Sequence, residues 1–194
     1  MKNRNTTSIT KVKVEKHSII IPAAGLGYRM RSYGPKSLIR IAPEKTIIQN
    51  QLEIIRKTFA NCEIILVCGF GAEKLMKNTP DDIIKVENEN YEETNVLRSI
   101  GIGLRASTSD KALVVYGDLV FNEEAIKNTK LENSCLITGQ KFMSEEEVGC
   151  NVSDGMVQQL LPDIPNKWGQ IMFLMGRELE IFKKIAYKQQ PRLP

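Results

Sequence analysis

Residues 19–41 read IIIPAAGLGYRMRSYGPKSLIRI. An apolar run of strand length gives way to a loop that carries Gly25 and Gly27, Arg29 and Arg31, and a Pro35-Lys36 pair. Gly25 and Gly27 permit positive φ and let backbone N–H groups come close to an anion. Arg29 and Lys36 add two cations to the same loop, which suits a triphosphate whose charge must be neutralised before a nucleophile approaches. Glycine-rich turns also follow first strands in α/β folds that bind nothing there, so the glycines by themselves leave the choice open.

Spacing separates the phosphate-binding loops. A dinucleotide fingerprint needs a third glycine three residues after the second and a helix starting there. That position is Met30, and Gly34-Pro35 interrupts any helix. A P-loop needs Gly-Lys-Ser/Thr, whereas Pro35-Lys36-Ser37 places a residue without an N–H at a position where the cradle needs one. Dehydrogenase and ATPase readings therefore fall behind.

Working outward, strand-length apolar runs recur at 18–22, 63–68, 83–87 and 112–116. Between them Ile47, Ile48, Leu52, Ile55 and Phe59, and then Val96, Leu97, Ile100 and Leu104, repeat at helical spacing. Alternating strand and helix predicts a mostly parallel sheet covered on both faces, a three-layer α/β/α Rossmann-like arrangement with its ligand outside the carboxyl ends of the strands. After Ser134 the rhythm changes to short strands at 135–139, 148–152, 156–161 and 170–175, with Asp154-Gly155 as a turn, which predicts a small antiparallel flap. A helix over residues 178–188 closes the pattern before Pro191. Gly101 and Gly103 lie inside a predicted helix, where each costs about 1 kcal/mol relative to Ala, so close packing is expected there.

The 194 residues, 42% apolar and 26% charged, fit one soluble domain, and no window approaches the roughly 20 apolar residues of a membrane span. The formal charge of +4 resides in residues 1–17, where Lys2, Arg4, Lys11, Lys13 and Lys16 oppose Glu15. A neutral body with 6% aromatic residues argues against a nucleic-acid binder. The basic arm is expected to be a solvated extension, although ITKVKVE (residues 9–15) alternates with period two and fits an edge strand. It lacks the apolar core of a secretory signal, which predicts a cytoplasmic protein. Cys62, Cys68, Cys135 and Cys150 show no C-x-x-C pairing and read as reduced thiols. A single histidine, His17, excludes zinc sites built on several histidines.

Two further clusters carry chemistry. Tyr116-Gly117-Asp118 ends the run ALVV. A carboxylate at a strand's carboxyl end suits Mg²⁺, which takes one or two carboxylates beside phosphate oxygens; a plain Gly-Asp turn is the alternative. Asn88, Tyr91, Asn95 and Ser99 share one segment, with Ser99 one helical turn beyond Asn95, so that both side chains face a ligand near the helix start. Thr94 or Asn95 as a plain N-cap is the competing reading.

The pattern A-A-G-x-G-x-R-M followed by P-K resembles the signature loop of nucleotidyltransferases that join an NTP to a sugar phosphate or choline phosphate. The resemblance implies that Ala23, Ala24, Gly25 and Gly27 hold the base and phosphates, that Arg29 and Lys36 grip the triphosphate as catalytic residues, and that Asp118 binds Mg²⁺ beside Tyr116 and Gly117. N-x-x-Y-x-x-x-N-x-x-x-S resembles the choline-phosphate cytidylyltransferases, which implies nucleotide contacts at Asn95 and Ser99. Residues 147–174 resemble the acceptor-side strands of sugar-nucleotide uridylyltransferases, implying acceptor contacts at Gly149 and Lys167. Trp168 reads as a core residue, with a quaternary ammonium or sugar ring as the alternative.

The expected activity is Mg²⁺-dependent transfer from an NTP, preferably CTP, to a small phosphorylated acceptor, with UTP or dTTP and a sugar 1-phosphate as the alternative pair. The partners implied are these substrates, with no nucleic acid and no membrane span, and a homo-oligomer is compatible with the sequence. The family's second metal-binding acid comes late, and no recognisable equivalent precedes Pro194. That departure leaves three readings of the domain at 18–194: a C-terminally incomplete member, a shortened one that uses an acid such as Asp163, or a nucleotide-binding module without turnover.

Overall fold

The run Ile19-Ile20-Ile21 is wholly buried at the centre of strand β1 (His17–Pro22). A strand covered on both faces reads as an unbroken apolar run because neither set of alternating side chains meets water. In this computed structural model residues 16–27, 34–127, 129, 131–139 and 147–188 are described. Most of the basic arm, with the expected edge strand at 9–15, lies outside the described residues, as does Arg29.

After β1 come a short 3₁₀ turn (Lys36–Leu38), the small ribbon β2 (Arg40–Ala42) and β3 (Lys45–Thr46), and helix α1 (Ile47–Thr58). Thr46 and Gln49 form a capping box at the start of α1. Then follow β4 (Cys62–Cys68), α2 (Ala72–Lys77), β5 (Ile84–Glu87), α3 (Val96–Ala106), β6 (Lys111–Val115) and α4 (Glu123–Lys127). The chain finishes with β7 (Cys135–Gly139), β8 (Val148–Ser153), β9 (Met156–Pro162), β10 (Lys167–Met175) and α5 (Gly176–Tyr187).

The main sheet has eight strands in the order β5-β4-β1-β6-β10-β8-β9, with β7 also paired to β10. β5, β4, β1 and β6 are parallel, as the alternation of strand and helix predicts. From β1 the chain moves to β4 and β5 on one side and then crosses to β6 on the other, so strand order reverses at β1. Such a reversal opens a crevice at the carboxyl ends of the two strands.

α1, α2 and α4 cover one face through Ile48, Leu52, Ile55, Leu75 and Ile126 against Ile19, Ile21 and Leu113. α3 and α5 cover the other through Ile100, Leu104 and Leu179 against Ile20, Val67 and Val114. The expected close packing at the helical glycines is present. A Cβ on Gly103 would sit 2.5 Å from Ile20 Cγ2, and one on Gly101 would sit 3.0 Å from Ala186 O.

β10 departs from the expected flap. It begins at Lys167, three residues before the predicted start, and its second half joins the main sheet antiparallel to β6, with Met172 opposite Val114. Ile171, Met172 and Phe173 are all buried, which the sheet interior demands and a surface flap would not. Gln170, at φ 57°, marks the break between this half and the first half, whose Lys167 pairs with β8, while β7 pairs with both halves on either side of the break. The β8–β9 hairpin turns at Asp154 and Gly155, both with positive φ, as the Asp-Gly signal predicts. The four cysteines are free thiols. Among the described residues no helix is long and apolar enough to cross a membrane.

Candidate active site

The loop after β1 continues to pair beyond the strand. Ala23 N–H donates to Val67 O at 2.8 Å, and Ala24 O accepts from Phe70 N–H at 3.0 Å. The main chain at Ala23 and Ala24 is thereby fixed as the floor of a cavity of about 200 Å³. Gly117 closes the floor on the β6 side: its N–H donates to Pro22 O at 3.1 Å, and a Cβ there would lie 2.8 Å from that of Ala23. Of the two loop glycines only Gly27 is left-handed, at φ 61°, and a Cβ on it would press on the Lys36 stem at 3.0–3.2 Å. Gly25, where positive φ was also expected, does not adopt it; the place of its Cβ is open space facing the cavity.

Lys36 and Asp118 are 82 residues apart in sequence and meet at this cavity, Lys36 Nζ lying 3.2 Å from Asp118 Oδ2. Their side chains are 36% and 38% exposed, so both remain open to an incoming group. The turn that carries Asp118 is held from beneath by Gln51, a wholly buried side chain on α1. Gln51 Nε2 donates to Tyr116 O at 2.9 Å and to Leu119 O at 2.7 Å. Sequence reasoning passed over Gln51, although a polar residue at a core position of the Ile47, Ile48, Leu52, Ile55 stripe is a signal that something polar waits opposite.

The Asn95 segment forms the facing wall. Asn95 Oδ1 accepts from Leu97 and Arg98 N–H at 3.0 and 3.3 Å, so the N-cap reading is realised, and Asn95 also lines the cavity. Ser99 lines it too, but is 4% exposed and is held from behind by Asn88, whose Nδ2 donates to Ser99 Oγ at 3.1 Å. Tyr91 and Thr94 complete that wall.

A wider cavity of about 810 Å³ adjoins the first, sharing Lys36 and Asp118 and reaching Glu147, Lys167 and Trp168. Trp168 packs on the core as expected and also forms cavity wall, with Tyr116 edge-on to it at 5.6 Å. Burial, and after it the Asp118 charge, push the Tyr116 hydroxyl up to about 12, so it stays a neutral donor near pH 7. Lys167 is brought to the cavity and paired with Glu147, which sequence reasoning did not single out.

Two of the expected residues are not among those lining either cavity. Gly149 is buried between Val148 and the β10 partner Lys167, and a Cβ there would overlap Ile164 O at 1.9 Å, so close packing asks for glycine at this position. Asp163 is exposed in the β9–β10 loop. Asp118 is the acid bordering the inner cavity, and no group of three metal-ligating side chains occurs among the described residues. That donor set fits Mg²⁺, which is commonly held by one or two carboxylates together with substrate phosphates and water.

The sequence profile of the MobA-like NTP transferase domain matches residues 19–134, which contain the loop, the Asn95 segment and Asp118. The chain is 29% identical over 138 residues to a bifunctional sugar-1-phosphate nucleotidylyltransferase/acetyltransferase of Sulfurisphaera tokodaii. The match covers 69% of this chain and 33% of that protein, so the chain spans about a third of its relative's length. In fold it resembles the CTP:phosphocholine cytidylyltransferase of Streptococcus pneumoniae, with a TM-score of 0.70 at 20% identity over 90% of this chain and 77% of that one. The inositol-1-phosphate CTP transferase of T. maritima gives a TM-score of 0.71 at 19% identity over 92% and 77%. The profile match extends over more than half of the chain, and the protein belongs to the MobA-like NTP transferase domain family.

Proposed function

We propose that the protein transfers a nucleotidyl group from an NTP, CTP in preference, to a small phosphorylated acceptor and releases pyrophosphate. The observation that carries this reading is the Lys36–Asp118 contact at 3.2 Å, set over the main-chain floor at Ala23 and Ala24. An acceptor phosphate oxygen attacks the α-phosphorus in line, the bond to the bridging β-phosphate oxygen breaks, and pyrophosphate leaves. No protein nucleophile is required. Lys36 offsets charge that develops on the phosphoryl oxygens, and the floor and the Asn95 wall hold the nucleotide in register. Mg²⁺ held by Asp118, when bound, adds further charge neutralisation on the phosphates. Arg29 is assigned to the triphosphate on the strength of the loop motif.

A cavity of about 200 Å³ beside the start of α3 suits a pyrimidine ring, and two proteins of the same fold are named for CTP. The acceptor is placed in the wider cavity, where Lys167 meets its phosphate and Trp168 with Glu147 suits a cationic head group such as choline. The relative named for sugar 1-phosphates favours a second reading, UTP or dTTP with a sugar 1-phosphate. That Asp118 is the one acid bordering the inner cavity among the described residues favours a third, nucleotide binding without turnover. Incubation with each NTP, Mg²⁺ and a panel of phosphorylated small molecules tests all three. The proposal expects pyrophosphate release to be fastest with CTP and choline phosphate. Release with a sugar 1-phosphate alone selects the second reading, and nucleotide binding with no release from any pair selects the third.

A further inference from the structure

Asn88, between β5 and α3, is 2% exposed, and its amide bridges two hydroxyls, with Nδ2 3.0 Å from Thr94 Oγ1 and 3.1 Å from Ser99 Oγ. Thr94 fixes which way that amide points. The Thr94 hydroxyl donates its single proton to Asn90 O at 2.7 Å, so toward Asn88 its oxygen acts only as an acceptor. An amide oxygen turned that way would set two acceptors against each other, so the NH₂ group faces both hydroxyls and spends one proton on each. Ser99 Oγ is thereby an acceptor on its buried side. Its own proton finds no acceptor among the described residues, and Ser99 borders the inner cavity. Asn95 points the same way in chemistry: its Oδ1 is occupied by the cap, which leaves its NH₂ group as the part able to serve a ligand.

We propose that Asn88 is a positioning residue that sets the hydrogen-bond polarity of the base pocket, holding Ser99 so that its O–H projects into the cavity as a donor. The inference rests on the inner cavity receiving the nucleobase, as proposed above. A pocket wall made of donors takes a base edge made of acceptors. Cytosine presents O2 and N3 as adjacent acceptors, whereas uracil presents N3–H beside O2, so a donor placed at that edge is paired by cytosine and opposed by uracil. A buried donor left facing another donor loses the bond and keeps the desolvation cost.

The test is calorimetric binding of each of the four NTPs with Mg²⁺ to the full chain, as wild type, Asn88→Asp, Ser99→Ala and the double variant. In Asn88→Asp both carboxylate oxygens accept, so the Ser99 hydroxyl turns back toward residue 88 and shows the cavity its lone pairs. The wild type should favour CTP over UTP. Asn88→Asp should lower that affinity ratio by about tenfold or more, Ser99→Ala should lower it similarly, and the double variant should add little, because both changes remove one bond. If Asn88→Asp does not fold, Ser99→Ala alone decides. An unchanged CTP/UTP ratio in the variants, with all four NTPs weakened by one factor, would overturn the proposal and leave Asn88 a packing residue. A wild type that binds UTP as well as CTP overturns it too, while pyrophosphate release would keep the transferase reading standing. Selective binding without pyrophosphate release has the opposite meaning: the base polarity holds and the transferase reading fails.

Discussion

Lys36 owes its place to short-range devices. Pro35 precedes the 3₁₀ turn, and Gly27 leaves room for the lysine stem to pass beneath the loop to the cavity. The head group is part-exposed and fills no core position, so Lys36→Ala removes charge without opening a void. Turnover should fall on the order of a hundredfold or more, the scale set by losing one preorganised transition-state contact. The melting temperature should stay within a few degrees of wild type, as expected for a surface change. Pyrophosphate release and a thermal melt on the same sample check both parts, and near wild-type turnover removes Lys36 from the chemistry. Asp118→Asn should abolish the Mg²⁺-stimulated rate, because an amide is a poor Mg²⁺ ligand, while an exposed ion pair of this kind contributes little to folding. A Mg²⁺ titration of rate that remains unchanged would make Asp118 structural.

The elements act on these residues from a distance, and here the sequence is legible only in part. The parallel strands and their covering helices were readable because burial on two faces writes an unbroken apolar run, and a helix lying on that sheet writes an i, i+3, i+4 stripe. The loop motif and Asp118 were readable because the residue types sit where strands end. β10 was misread as flap because its one feature foreign to a flap, burial of Ile171 to Phe173 against β6, depends on which strand it meets. Gln51 was missed for the same reason: the carbonyls it holds are 65 and 68 residues away in sequence. It should be the residue through which α1 positions the Asp118 turn. Gln51→Met keeps the volume and drops both bonds; Tyr116 O still accepts from Leu119 N–H at 3.2 Å, so the cost of about 1–3 kcal/mol for an unpaired carbonyl falls on Leu119 O. The expected outcome is a lower melting temperature together with a Mg²⁺ requirement raised on the order of tenfold, the factor that ~1.4 kcal/mol of lost positioning gives. A variant that melts earlier yet keeps the wild-type Mg²⁺ midpoint would restrict Gln51 to packing.

Across the whole molecule the sheet has a chemical end and a structural end. The cavity lies past the carboxyl ends of β1 and β6, while at the opposite end Glu63 ties three segments together. Its carboxylate accepts from Ser18 Oγ at 2.7 Å, Thr108 N–H at 3.0 Å, Thr108 Oγ1 at 3.1 Å and Lys16 Nζ at 3.1 Å, joining β1, β4 and the approach to β6. Burial by itself pushes this carboxyl up, but the donors from Thr108, Ser18 and Lys16 together outweigh it and hold the group below the usual glutamate range. The folded state therefore prefers the ionised form more than the unfolded chain does. The resulting stabilisation is fully present above the unfolded value of about 4.3 and is lost as pH falls through the lower folded value. Glu63→Gln replaces an acceptor-only group with one carrying two donors of its own, so some of the converging donors must lose their partner. At pH 7 the variant should melt lower than wild type, and the gap should begin to close as pH falls below the unfolded value of about 4.3 and go on closing through the lower folded value, where the wild-type carboxyl is protonated too. Its turnover per folded molecule at pH 7 should match wild type, because the clamp and the cavity lie at opposite ends of the sheet. Melting curves from pH 3 to 7 read the first part and pyrophosphate release the second. A gap that stays constant across that range would show that ionisation of Glu63 does not govern the clamp.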